Sequence, residues 1–293
     1  MGHFKFTGCG TALISPFKNN GMAVDYEAMA KLVERQMSAG VHFLVPLGTT
    51  GETPCLTTDE KIKLLQVTKE HSNCPIVVGC GTNSLAQTTE SMKLLEPLGL
   101  DAYLIVVPYY NKPTQKGLYE YFKAVSEATD KDIILYNVPG RTGANLEAET
   151  TLRLAEIENI VAIKEASGRY AQISQVIRNK PDNFSVLSGN DDETLSLMAT
   201  GADGVVSVAS NVDPHRMVQL VEALRRDDMS TARELHYQLM PLFKNCFVES
   251  NPIPAKAAMA QLGLCENSLR LPLIPATPET ELLMRQTLDD LGL

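Results

Sequence analysis

Short β-branched runs alternate with amphipathic stretches along most of this chain. Thr11–Ile14, Phe43–Pro46, Ile76–Val78, Ala102–Val107, Ile133–Tyr136, Val161–Lys164, Ser185–Leu187 and Val205–Val208 read as buried strands. They recur about every 30 residues, the length of one βα unit. Helical periodicity fills the intervals. Met29, Leu32, Val33 and Met37 share one face after Asp25, a candidate N-cap. Thr57, with Glu60 three residues on, predicts a capping box that opens a helix carrying Ile62, Leu65 and Val67.

Eight strands alternating with helices predict an α/β fold, a (β/α)8 TIM barrel of about 250 residues. The alternative is a doubly wound open sheet, which usually has fewer strands and a glycine-rich first turn. Here the first turn, Ser15-Pro16-Phe17-Lys18-Asn19, has no such glycines. The stretch from Pro214 to Leu293 is longer than one final barrel helix requires. Residues 1–225 therefore read as the barrel and 226–293 as a C-terminal helical extension. The proline-rich Leu271–Pro275 sets off the last helix of that extension.

Composition narrows the function classes. A chain of 293 residues with 44% hydrophobic and 21% charged residues has material for an ample core. A net charge of -9 argues against nucleic acid or an anionic membrane as partner. No apolar stretch nears the roughly 20 residues that span a bilayer. The N-terminus lacks the apolar core of a signal peptide, so a cytoplasmic location is expected. The six cysteines form no C-x-x-C pair and read as reduced thiols. The five histidines are scattered, which makes a zinc site improbable on spacing alone. His42, at the entry to an apolar run, reads as a core histidine.

The candidate chemistry lies at the strand ends. Lys164 closes the run Ile160–Ile163, where burial disfavours the charged form and favours a nucleophilic amine. Tyr136 ends the preceding strand, and strand tips one βα unit apart are neighbours in a parallel sheet. A desolvated lysine beside a phenol is suited to Schiff-base chemistry on a carbonyl substrate. The alternative is a strand-end lysine paired with Glu165 or solvated.

In a barrel, the loops after strand C-termini carry the chemistry. After the second strand comes Gly48-Thr49-Thr50-Gly51-Glu52, a hydroxyl pair with backbone N–H groups free for a carboxylate. Tyr109-Tyr110-Asn111 follows the fourth strand, Arg141 the fifth, and Gly189-Asn190-Asp191-Asp192-Glu193 the seventh. Barrels that hold a phosphate often do so after strands seven and eight, where this acidic loop would repel it. The expected substrate is a small carboxylate. Each residue also has a purely structural reading: Thr49 and Thr50 as strand terminators, the tyrosines as packing groups, Arg141 as a solvated charge.

Gly48–Glu52, Pro108–Asn111, Tyr136–Gly143, Ile163-Lys164-Glu165 and, in the tail, Glu249–Lys256 together resemble the pyruvate-dependent Schiff-base lyases. Within that superfamily the chain is similar to the dihydrodipicolinate synthase (4-hydroxy-tetrahydrodipicolinate synthase) family. The arginine three residues after Asn137-Val138 favours this family over N-acetylneuraminate lyases and keto-deoxy-sugar-acid aldolases. A non-catalytic relative is the rival of a different class.

The resemblance implies condensation of pyruvate with L-aspartate 4-semialdehyde to 4-hydroxy-tetrahydrodipicolinate, in diaminopimelate and lysine biosynthesis. Lys164 would form the imine. Thr49, Tyr136 and Tyr110 would relay protons, with Tyr110 coming from a neighbouring subunit. Thr50 and Gly189 would contact the pyruvate carboxylate, the Val206 carbonyl would lie near the reacting centre, and Arg141 would grip the semialdehyde carboxylate. No metal or organic cofactor is implied, and the assembly would be a homotetramer, a dimer of dimers. In inhibited family members, L-lysine sits at an interface pocket whose counterparts here are Thr53, Pro54, Thr58, Lys61, Asn83, Gln87 and Tyr109. Gln87 stands where a carboxylate is expected and Lys61 where a histidine is, so feedback inhibition is expected to be weak or absent.

Overall fold

The computed structural model describes residues 5–293. Eight strands alternate with helices along the chain, the (β/α)8 barrel plan: β1 (Gly8–Ala12), β2 (Phe43–Val45), β3 (Val77–Gly79), β4 (Ala102–Val106), β5 (Asp132–Asn137), β6 (Ile160–Glu165), β7 (Ser185–Ser188) and β8 (Gly204–Ser207). The described residues divide into two compact units, residues 5–8 with Ile76–Val206, and Cys9–Pro75 with Ser207–Leu293.

In the first unit, β3 to β8 pair in parallel, each with the next in sequence. Both faces of these strands are buried, which suits their continuous Val/Ile/Leu runs. The register sets Tyr136 opposite Lys164, and Asn137 opposite Glu165. Gly204 is glycine because of crowding: a Cβ there would stand 2.1 Å from the Gly8 carbonyl oxygen.

In the second unit, β1 pairs in parallel with β2, Gly10 opposite Phe43. A Cβ on Gly10 would lie 2.1 Å from the Phe43 ring, so β1 must open with small residues. The run Thr11–Ile14 placed this strand too far along, because the glycines at its start carry no apolar signal and here allow close approach. His42 is a structural residue, as expected. Its Nδ1 accepts from the Cys9 N–H at 3.1 Å and its Nε2 lies 3.0 Å from Glu222.

Helix α1 (Tyr26–Ser38) is capped by Asp25 and buries Met29, Leu32 and Val33. Helix α2 (Thr58–His71) carries the full Thr57–Glu60 capping box. It buries Leu64, Leu65 and Val67, with Ile62 at the edge of that face. Four helices fill the tail, at Pro214–Arg225, Met229–Asn245, Ile253–Gln261 and Pro278–Leu291. No helix among the described residues is long and apolar enough to cross a membrane.

Candidate active site

Lys164 is the penultimate residue of β6 and only 5% exposed. Its Nζ lies 4.3 Å from the centroid of the Tyr136 ring, within cation–π range. It does not share a face with Glu165, because successive strand residues point to opposite sides. The Glu165 carboxylate accepts from Asn137 Nδ2 at 3.1 and 3.2 Å and from the Ser167 N–H at 2.9 Å. Burial raises the Glu165 pKa, and these donors oppose the shift. The ion pair that would have made Lys164 an ordinary strand-end residue is therefore not formed.

Gly189 borders the same lysine. A Cβ there would stand 3.1 Å from Lys164 Cε and 2.7 Å from Ala166 Cβ, so only glycine leaves the lysine side chain its room. The Gly189 N–H donates to the Glu165 carbonyl at 2.7 Å, which ties the loop after β7 to the end of β6. Val206 is buried within β8. In the acidic stretch of this loop, Glu193 accepts from Asn190 Nδ2 at 3.0 Å. Burial raises its pKa.

After β5 the chain makes one helical turn, Pro139–Thr142, closed by the Thr142 hydroxyl donating to the Val138 and Ala144 carbonyls. Arg141 is exposed on this turn. The segment that follows is anchored from three directions. Asn137 receives the Leu146 N–H at 2.9 Å, Gln115 Nε2 donates to the Asn145 carbonyl at 2.7 Å, and Gln172 Nε2 to the Leu146 carbonyl at 3.0 Å.

The tyrosines after β4 do not pack into the interior of this chain. Tyr109 is exposed, and Tyr110 is 89% exposed with φ of 72°. Its N–H donates to the Thr142 carbonyl at 3.3 Å, so this loop is tied to the arginine-bearing turn. A bulky residue held at positive φ with its ring in solvent carries strain that packing in this chain does not explain.

In the second unit, the loop after β2 holds Thr49 exposed and Thr50 buried. The Gly51 and Glu52 N–H groups donate to Gly48 and Thr49 carbonyls at 3.1 Å each. These two are therefore spent on the turn and not free for a ligand, contrary to the expectation for this loop. The Thr50 hydroxyl accepts from Asn251 Nδ2 at 2.9 Å. Glu52 pairs with Lys256. Asn251 and Lys256 were recognisable only as part of a motif, without a role. A hint was present: Lys256 is the one charge in the helix Ile253–Gln261, and such residues are seldom fully buried unless paired.

The residues expected to form an effector pocket divide between the units. In the first, the Asn83 carbonyl accepts from Asn111 Nδ2 at 3.1 Å, and Gln87 is exposed on the first turn of the helix Leu85–Leu95. In the second, Thr53 Oγ1 donates to the Gly48 carbonyl at 3.1 Å, Pro54 and Thr58 are exposed, and Lys61 lies on α2. Among the described residues there is no cluster of three or more His, Cys, Asp or Glu able to hold a metal ion.

Known proteins agree with this arrangement over the whole chain. The sequence model of the Dihydrodipicolinate synthetase family matches residues 5–291. A 4-hydroxy-tetrahydrodipicolinate synthase of Koribacter versatilis is 48% identical, over 98% of this chain and 97% of its own. The crystal structure of dihydrodipicolinate synthase from Thermotoga maritima superposes with a TM-score of 0.96 at 46% identity, covering 99% of each chain. A monomeric dihydrodipicolinate synthase variant gives the same score and identity over 99% of this chain and 98% of its own. The chain belongs to the dihydrodipicolinate synthetase family.

Proposed function

We propose that this protein is a lyase that condenses pyruvate with L-aspartate 4-semialdehyde to 4-hydroxy-tetrahydrodipicolinate, in diaminopimelate and lysine biosynthesis. The buried Lys164 set in register against Tyr136 carries this reading. The lysine amine attacks the pyruvate ketone and water leaves, giving an imine. The cationic imine draws electrons, so a methyl proton departs and an enamine forms. Its carbon attacks the semialdehyde carbonyl. Ring closure by the substrate's own amino group then displaces Lys164.

Thr49, Tyr136 and Tyr110 relay the protons. Thr50 and Gly189 hold the pyruvate carboxylate, and the Val206 carbonyl lies by the reacting carbon. Arg141 takes the carboxylate of the second substrate, a planar bidentate task for which lysine is a poor substitute. Every one of these residues sits at a strand C-terminus or in the loop after it, the side of a (β/α)8 barrel that carries chemistry. No metal or organic cofactor enters this scheme, since the lysine imine is itself the electron sink.

Residues 1–225 act as the catalytic barrel and 226–293 as a helical extension. Tyr110 acts in a neighbouring subunit of a cytoplasmic homotetramer, a dimer of dimers, and its strained, exposed position supports that assignment. Arg141 separates this function from the related sugar-acid lyases, which share the lysine chemistry without needing that charge.

A panel with pyruvate constant and the aldehyde varied tests the proposal. Turnover with L-aspartate 4-semialdehyde well above that with any sugar aldehyde is expected. Preference for a sugar aldehyde would move the protein to the sibling lyases, and no turnover with any aldehyde would make it a non-catalytic relative.

A further inference from the structure

The tail motif Glu249–Lys256 takes no part in the chemistry above, yet two of its side chains grip the loop after β2. Asn251 Nδ2 donates to the Thr50 hydroxyl. Two residues beyond Thr50, Glu52 stands at φ of 50°, a conformation non-glycine residues seldom adopt. Its buried carboxylate holds it there from both oxygens. Oε1 accepts from Lys256 Nζ at 2.5 Å and Oε2 from the Arg270 backbone N–H at 3.1 Å.

Lys256 is fully buried, and it also donates to the Ser268 carbonyl at 2.9 Å and lies 4.0 Å from the centroid of the Phe17 ring. Arg270 lies over the same ring at 4.6 Å and forks onto the Glu60 carboxylate at 2.6 and 2.7 Å. The end of the loop is thus held by the Lys256 ammonium and the Arg270 backbone N–H, both on the tail.

Stability alone does not call for such a pair, because apolar residues of similar volume often replace a buried ion pair at no loss. An ion pair with further hydrogen bonds instead fixes direction, which apolar packing does not. We propose that Glu52 and Lys256 are positioning residues whose pairing holds the Gly48–Glu52 turn so that the Thr50 hydroxyl is aimed for the pyruvate carboxylate and the Thr49 hydroxyl for the proton relay of imine formation. The C-terminal extension then sets the geometry of the first-substrate step. This rests on the assignment of Thr50 to the pyruvate carboxylate and of Thr49 to the proton relay made above.

The test is the double variant Glu52→Leu/Lys256→Met, which exchanges both charges for apolar groups of similar reach. A melting temperature near that of the parent is expected. kcat/KM for pyruvate should fall about 10- to 100-fold, as small misplacements of catalytic groups do, while KM for the semialdehyde stays within about twofold. A purely structural pair would not divide the two substrates in this way. A folded double variant with parental pyruvate kinetics overturns the proposal.

If the double variant does not fold, Glu52→Gln decides. Its pyruvate KM should rise with the semialdehyde KM unmoved, and unchanged pyruvate kinetics overturns the proposal equally. Trapping of pyruvate on the parent enzyme keeps the two levels apart. A parent that forms no pyruvate adduct removes the underlying function and the positioning claim with it. A parent that forms the adduct, beside variants that behave like it, removes only the positioning claim.

Discussion

Arg141, proposed to grip the second substrate, illustrates how a side chain is presented on a fixed backbone. Its N–H bonds the Val138 carbonyl at 2.9 Å, and the residues after it are anchored by Asn137, Gln115 and Gln172, but the arginine itself is exposed. A charge held so, with its backbone already ordered, meets a ligand carboxylate at reduced entropic cost. Arg141→Ala is therefore expected to lower kcat/KM for the semialdehyde about 10- to 100-fold, the loss of a charge-assisted contact worth about 1.5–3 kcal/mol. Pyruvate trapping by the same variant should stay at the parental rate, and equal loss of both would make Arg141 an organiser of the whole site. Lys164 and Tyr136 were legible in the sequence because strand alternation and βα spacing are local rules. The partners of Glu52 and Thr50 were not, because Lys256 and Asn251 lie some two hundred positions away and no local period links them.

At the scale of single elements, the start of α2 joins local and distant contacts. The Thr57–Glu60 box follows from four residues and was predicted outright; the further clasp of Glu60 by Arg270 was not. The hydrogen bond from Arg270 is the main cause that depresses the Glu60 pKa. A carboxylate with a depressed folded pKa gives stability that is present above its unfolded value, about 4.3, and lost as pH falls through the folded value. Glu60→Gln should thus melt lower than the parent at pH 7, by about 1–2 kcal/mol or a few degrees. The gap should close as pH drops below about 4. Thermal melts of both proteins across pH 3–7 check this, and a gap independent of pH would assign the effect to packing. The first strand marks where element prediction failed. Gly8 and Gly10 look like chain punctuation, and only the nearness of a second backbone and of the Phe43 ring explains them as strand residues.

For the molecule as a whole, the residues proposed for regulation lie at the surface. Tyr109 and Gln87 are exposed in one unit, and Lys61 stands on α2 in the other. In the effector pocket that the family resemblance implies, an amide at position 87 would offer a cationic effector no counter-charge, and an ammonium at position 61 would repel it. L-lysine titrated into the assay at saturating pyruvate should inhibit weakly or not at all, whereas strong inhibition at sub-millimolar effector would refute this view of the pocket. The barrel plan itself was legible throughout, since eight evenly spaced apolar runs leave few other arrangements. Pyruvate trapping tests the lysine assignment most directly. Incubation with pyruvate and borohydride, followed by peptide mapping, should find one reduced pyruvyl group on Lys164 together with loss of activity. An adduct on any other lysine, or none with activity retained, would contradict the Schiff-base mechanism.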